Sequence, residues 1–403
     1  MIEIKNAKNI EGKKVTHFIE SKENHIIDAS GLTLLPALID PHVHFRVPGH
    51  EHKENWETAA KAAIYGGVTT VFDMPNNTPP CVSFSALQDK KKKIFNQLKS
   101  VNIPLRHFFY LGADKAHLHE IESCKDDIIG IKVFMGSSTG GLLIQDNKTL
   151  EEVFKIAQKH NLPIAVHAED EEMIQGNRRQ IKGPLSYSDH SLIRGEKAAE
   201  KAVHKIVSLV EKYPTKVYIL HVSTHGELEI IRKAKQKHLP IYAEATPHHL
   251  FLTVDDYKKY GAKAVINPPL RKSIDRDALW EGIKDGTIDC IGSDHAPHTL
   301  EEKNKPYGAC PSGMPGIETM LPLLLDAYNN NRLTLQEIVS LTHLRIQDIF
   351  NLPLIDDVVL ADLNLEKRVG HMKTKVGWSC FENKLLKGWP KIVILKGKVF
   401  NIE

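Results

Sequence analysis

Two histidines, His42 and His44, close the apolar run in LLPALIDPHVHFRVPG, with Asp40 before them and Arg46 after them. At a strand end, side chains two residues apart point the same way, so both imidazoles can reach one divalent ion. A lone His-x-His pair is weak ground for a metal site, because many such histidines are core or surface residues with ordinary hydrogen bonds. The pair gains weight from Lys132 in GIKVFMG, His167 in PIAVHAED, His221 in YILHVS and Asp294 in IGSDHAPH, each at the end of another apolar run. Taken singly, these are a snorkelling lysine, core histidines and a turn aspartate. Together, the histidines and the aspartate are enough for two divalent ions roughly 3.5 to 4 Å apart, provided an anion bridges them. A protonated lysine would be repelled from such a centre. A buried, neutral amine can instead add carbon dioxide and become a carbamate carrying two oxygens.

Residues this far apart meet only if the elements carrying them end side by side. Apolar or β-branched runs occur at LLPALID, TTVFDM, HFFYLG, GIKVFM, PIAVHAE, KVYILHVS, PIYAEAT and DCIGSD, and amphipathic stretches such as NWETAAKAAIYGG, TLEEVFKIAQKHN and HGELEIIRKAKQKH lie between them. Near-continuous apolar strands alternating with helices predict a parallel sheet covered by helices, and eight of them close into a TIM-like (β/α)8 barrel of the α/β class. In that fold catalytic groups stand at the C-terminal strand ends, where all the residues above are found. An open doubly wound sheet is the competing arrangement, but no GxGxxG turn follows the first strand. Short alternating segments fill residues 1–33 and recur beyond Asp356. Both chain ends are therefore expected to build one small β accessory domain, 1–33 plus 352–403, beside a catalytic barrel at 34–351.

A chain of 403 residues accommodates a barrel of that kind plus such a unit. The formal charge of +3 arises from acidic and basic residues mixed along the whole sequence, which disfavours a nucleic acid partner. The run Lys90 to Lys93, within ALQDKKKKIFNQL, reads as the solvated face of a helix. The five cysteines are odd in number and scattered, without a CxxC, which argues against a disulfide framework or a cysteine zinc site and for a reducing cytoplasm. No apolar leader opens the chain, and no run approaches the roughly 20 apolar residues that a membrane span needs.

These residues resemble the amidohydrolase superfamily and, within it, the dihydroorotases. The likeness extends over nearly the whole chain, through DPHVHFRVPG, AIYGGVTTVFDMPNNTPP, IKVFMGSSTG, AVHAED, ILHVST, NPPLR, GSDHAPH, GIETMLPLLL and WSCFEN. The resemblance implies a distorted barrel with a terminal β domain and a binuclear zinc centre. In that centre His42, His44 and Asp294 hold one ion, His167 and His221 hold the other, and carboxylated Lys132 bridges them. Some dihydroorotases bridge with an aspartate just beyond the fourth strand, but here that segment is MGSSTGG, which favours the carbamate.

The implied reaction is the reversible hydrolysis of the cyclic amide of dihydroorotate to N-carbamoyl-aspartate in pyrimidine synthesis. Asp294 would take the proton of the attacking water and deliver it to the departing ring nitrogen. Arg46 can offer a bidentate fork to the ring carboxylate. Asn76 and His298 resemble the family's other carboxylate contacts, and Asn267 its ring contact. Thr139, in GSSTGG, is a candidate donor on a loop near the metals, and KNKPYGACPSG is a second candidate flap. Dihydropyrimidinase (hydantoinase) and allantoinase share the barrel but act on rings lacking the carboxylate, so Arg46 argues against them. A non-catalytic scaffold for aspartate transcarbamoylase would be free to lose ligands, yet every expected metal position is present. The resemblance further implies a small-molecule substrate and a homo-oligomer such as a dimer, and it allows association with aspartate transcarbamoylase.

Overall fold

The computed structural model describes residues 1–138 and 141–402. The chain begins with four short strands, β1 (Ile2–Lys8), β2 (Lys14–Ile19), β3 (His25–Asp28) and β4 (Thr33–Pro36). Eight further strands follow: β5 (Leu38–Val43), β6 (Val68–Asp73), β7 (Arg106–Gly112), β8 (Gly130–Phe134), β9 (Ile164–His167), β10 (Val217–Ile219), β11 (Ile241–Ala245) and β12 (Cys290–Ile291). They lie side by side in chain order, each parallel to the next. Parallel neighbours need a crossover between them, and the amphipathic stretches supply it as helices Trp56–Tyr65, Asn147–His160 and His225–Gln236. Strands such as β5, β6 and β8 are buried along their full length, as expected with side chains packed on both faces.

The barrel closes at its C-terminal mouth. Val43 pairs with His295 beyond β12, and the His44 N–H donates to His295 O at 2.8 Å. Asp40 reinforces this closure by accepting from the Ser293 N–H at 3.0 Å. The N-terminal mouth is plugged by helix Arg345–Phe350, whose Phe350 ring stands edge-on to Phe72, Tyr218 and Tyr110 at centroid distances of 5.0, 5.3 and 6.3 Å.

The last strands, β13 (Val358–Arg368), β14 (Leu385–Leu395) and β15 (Lys398–Asn401), join the first four in one sheet with the order β15-β14-β13-β4-β1-β2, and β3 also pairs with β1. Most pairs are antiparallel, while β1 pairs parallel with β3 and β4. The run LLPALID is two strands rather than one. Its first half alternates between buried and half-buried residues and belongs to the terminal sheet through Pro36; its second half is wholly buried and opens the barrel.

A second expectation fails at Lys90, which is fully buried instead of lying on a solvated face. It occupies the apolar stripe of helix Phe84–Val101 with Leu87, Ile94 and Leu98, spacings of three and four that put all four side chains on one side. Its ammonium pairs with Asp73 at 2.5 Å and donates to Met74 O at 2.9 Å and Asn77 Oδ1 at 3.0 Å. Asp73 in turn accepts from the Phe45 N–H at 2.8 Å, so this lysine braces the segment that carries His44 and Arg46.

Candidate metal centre and active site

His42, His44 and Asp294 converge at the barrel mouth. Asp294 Oδ1 lies 3.2 Å from His42 Nε2 and 3.2 Å from His44 Nε2, and the three ligand atoms fall within 4.8 Å of one another. Beside them, His167 Nδ1 and His221 Nε2 are 3.0 Å apart, and the His42 and His221 rings are 5.4 Å apart. Nitrogens bound at 2.0 to 2.1 Å to one tetrahedral ion stand roughly 3.3 Å apart, so both spacings are those of ligands that share an ion. The other ring nitrogens fix the tautomers: His42 Nδ1 is 2.8 Å from Glu244 Oε1, and His44 Nδ1 is 2.7 Å from Asn76 Oδ1. With its proton donated outward, His44 Nε2 turns a lone pair toward Asp294 Oδ1, an arrangement that a cation between them relieves.

Burial works against charge on His42, but Glu244 and Asp294 outweigh it and raise that imidazole above its ordinary value. Burial pushes His44 down to about 3, so its ring is neutral at physiological pH. Burial alone would raise Asp294, but His42 and His44 hold it well below the usual carboxylate range. Lys132 is buried with its Nζ 4.5 Å over the Phe134 ring, and desolvation lowers it to about 7 against the opposing pull of Asp294 and Glu244. A substantial fraction of its amine is therefore neutral at physiological pH. Strained backbone gathers at the same place, with φ at +66° for Arg46, +39° for His221 and +44° for Asp294. Such values cost non-glycine residues of order 1 to 3 kcal/mol and persist where the surroundings impose them.

A cavity opens over this cluster. Of the expected substrate contacts, Arg46, Asn76 and Asn267 line it. Arg46 is buried, its Nε donating to Pro297 O at 3.2 Å, and burial lowers it only to about 10, so it stays charged. Among the described residues no carboxylate forms an ion pair with it. Asn267 Oδ1 is 2.9 Å from His190 Nε2, and Asn76 meets His44, so it orients that imidazole as well as lining the wall. His298 is not in the wall. It stands behind Arg46, with Nε2 3.1 Å from Arg46 Nη2 and 3.0 Å from Ser312 O, and Nδ1 3.1 Å from Lys53 Nζ. Burial together with Arg46 holds His298 well below the usual imidazole range, so its neutral ring accepts from Lys53 and donates to Ser312 O. Trp378, in the C-terminal motif WSCFEN, donates to His298 O at 2.9 Å. Thr139 lies outside the described residues. The flap expected at KNKPYGACPSG contributes Ser312 and Gly313 to the wall, and the buried Lys303 ammonium ties down its far end through Pro311 O at 2.8 Å and Gly313 O at 3.0 Å.

Glu244 is the site residue that sequence reasoning missed. Its Oε1 accepts from His42 Nδ1 and from the His221 N–H at 3.0 Å, and its Oε2 accepts from the Tyr218 hydroxyl at 2.7 Å. One carboxylate thus positions both groups of the cluster. Gly292 makes room for it, since a Cβ there would lie 2.4 Å from Glu244 Oε2. The signal was present in PIYAEAT: a lone carboxylate inside a buried strand must find partners.

Fold and site together define a (β/α)8 barrel hydrolase equipped to hold divalent metal. The chain belongs to the amidohydrolase family, whose model matches residues 33–354. Among similar proteins, the dihydroorotase of Methanosarcina acetivorans is 35% identical across 98% of this chain and 88% of its own length. The dihydroorotase of Wolbachia sp. subsp. Brugia malayi is 31% identical across 98% of this chain and 92% of its own. Among solved structures, the L-hydantoinase (dihydropyrimidinase) from Arthrobacter aurescens matches with a TM-score of 0.93 at 25% identity, covering 99% of this chain and 95% of that one.

Proposed function

We propose that the chain is a dihydroorotase, opening and closing the cyclic amide of dihydroorotate. The observation that carries this reading is Arg46, a buried guanidinium without an ion-pair partner among the described residues, in the wall of a cavity that also holds the metal-competent cluster. A charge held this way is poised for an anionic ligand. Of the cyclic amides considered, dihydroorotate is the one that brings a ring carboxylate.

In this reading His42, His44 and Asp294 would hold one zinc ion and His167 and His221 a second, and Lys132 would serve both as a carbamate, formed when its neutral amine attacks carbon dioxide and gives up a proton. Two such ions supply Lewis acidity at the ring carbonyl and lower the pKa of water toward neutrality. The remaining work belongs to the chain. Asp294, held ionised by its histidines, takes a proton from the attacking water and passes it to the departing ring nitrogen. Arg46 binds the ring carboxylate, Pro297 O accepts from its Nε and holds it in place, His298 stands behind it, and Asn267 contacts the ring. A homo-oligomer and association with aspartate transcarbamoylase rest on the resemblance alone. Cytoplasmic location accords with five unpaired cysteines and with the lack, among the described residues, of a helix long and apolar enough to cross a membrane.

The second reading, a hydantoinase or dihydropyrimidinase, is favoured by the structural match to the Arthrobacter protein. Assaying the purified chain side by side on dihydroorotate, dihydrouracil, hydantoin and allantoin separates the two. Arg46→Met should lower kcat/KM for dihydroorotate by on the order of 10², with metal content unchanged and any dihydrouracil activity far less affected. Equal losses on both substrates would remove the carboxylate clamp and leave the second reading standing.

A further inference from the structure

Two buried residues that the chemistry above leaves unused, Glu169 and Arg194, form an ion pair that reaches both the metal cluster and the cavity wall. Glu169 Oε2 lies 2.9 Å from His167 Nε2. Arg194 grips the same carboxylate, its Nε lying 3.2 Å from Oε1 and 2.9 Å from Oε2. With His167 Nε2–H donated to Glu169, the lone pair of that ring is left on Nδ1, the nitrogen that faces His221.

The guanidinium has a second task. Its Nη2 donates to Ser137 O at 3.0 Å, while the Ser137 N–H donates to Glu171 Oε2 at 2.6 Å. Both backbone groups of Ser137 are therefore occupied, and the next residue, Ser138, lines the cavity. Gly136 permits the approach, since a Cβ there would lie 2.9 Å from Glu169 Cβ and 3.3 Å from Arg194 Nη2. Arg194 is itself anchored: its carbonyl accepts from Arg271 Nη1 at 2.6 Å, and Arg271 Nε donates to Ser223 Oγ at 3.2 Å, two residues beyond His221.

We propose that Glu169 and Arg194 are positioning residues that align a metal ligand and a substrate wall through one ion pair. Glu169 fixes the tautomer and aim of His167, and Arg194 fixes the backbone of Ser137 and with it Ser138. The assignment rests on the metal-holding role proposed for His167 and His221.

The test uses the full chain loaded with zinc. Transfer of zinc to a competing chelator is measured for wild type, Glu169→Gln and Arg194→Lys, together with kcat and KM for dihydroorotate and the thermal midpoint. A glutamine lacks the carboxylate charge and offers one acceptor oxygen where His167 and the Arg194 guanidinium now share two, so Glu169→Gln should weaken zinc binding of the folded protein on the order of 10- to 100-fold. A lysine keeps a cation beside Glu169 but has no second arm for Ser137 O, so Arg194→Lys should retain zinc affinity and raise KM on the order of tenfold. Should Glu169→Gln fail to fold, Glu169→Asp withdraws the carboxylate by one methylene and gives the same zinc readout. Unchanged zinc affinity in the folded Glu169 variant overturns the His167 half of the proposal, and unchanged KM in Arg194→Lys overturns the Ser137 half. A lowered midpoint with neither change would make the pair purely structural and overturn the whole. If wild type turned over none of the four amides, the dihydroorotase reading would fail on its own, while the zinc comparison would still decide the role of Glu169.

Discussion

The two mouths of the barrel are made by the same eight strands and put burial to opposite uses. At the N-terminal mouth, Phe72, Tyr110, Tyr218 and Phe350 interlock edge to face with Ile39, Ile346 and Ile349, and burial there stabilises by removing apolar surface from water. At the C-terminal mouth, burial removes water from groups that want it. Its result is a lysine near neutrality, a neutral His44 and an arginine that forms no ion pair among the described residues. One end holds the barrel together. The other end spends some of that stability on reactive ionisation states and strained backbone at Arg46, His221 and Asp294. The comparison teaches that a substitution at one mouth should move stability and leave chemistry, and a substitution at the other should do the reverse.

The largest effect expected is at Asp294. Asp294→Asn keeps the shape but cannot carry a proton between water and leaving nitrogen, so kcat should fall on the order of 10² to 10⁴ with only a small change in thermal midpoint. Metal content measured on the same sample separates a lost proton carrier from a lost ligand, and a fully metallated variant with near-native turnover would break the contrast at its strongest point. Next comes Lys132→Ala, which should lose metal and most activity. A short carboxylic acid such as acetate should restore part of both by standing in for the carbamate oxygens. Full activity without additive would mean that the lysine bridges nothing.

Phe350→Ala probes the opposite mouth. Removing the ring that touches three others should cost about 3 to 5 kcal/mol of stability by denaturant titration, while kcat/KM of the folded fraction stays within a few-fold of wild type. A collapse of kcat/KM in still-folded protein would show that the two ends are not separable. The last effect is a pH dependence. Lys132 is lowered to about 7 from 10.5, so between those values the folded, metal-free chain binds fewer protons at this site than the unfolded chain. Stability then rises with pH across that window, and the burial penalty is fully present below it. Chelator-treated wild type should therefore gain stability relative to Lys132→Met from about pH 7 upward. A difference that is flat in pH would show that burial does not depress this lysine.

Much of the site was legible because its pieces are local. A metal-competent residue at the end of an apolar run needs only neighbours a few positions away to be noticed, and His42, His44, His167, His221 and Asp294 carry that signature, whereas Lys132 sits in the middle of β8 rather than at its end. Lys90 was misread although its signal was also local, because four consecutive lysines obscured its three- and four-residue spacing to Leu87 and Ile94. The division of LLPALID between two sheets hid for a different reason. Both halves are apolar, and only their burial patterns differ.

By itself the sequence determined which residues carry metal-competent side chains, which apolar run each lies in or just beyond, and that eight such runs alternate with helices, since strand and helix periods are properties of short windows. Only the tertiary structure decided what each residue does there. Glu244 reaches His42 across 202 positions, His298 stands behind Arg46 across 252, and Arg194 joins Glu169, the partner of His167, to Ser137 from a separate helix end. Those partnerships follow from how far the sheet curves before Val43 meets His295. Curvature is a sum over all eight strands and their packing, so no single window of the chain records it.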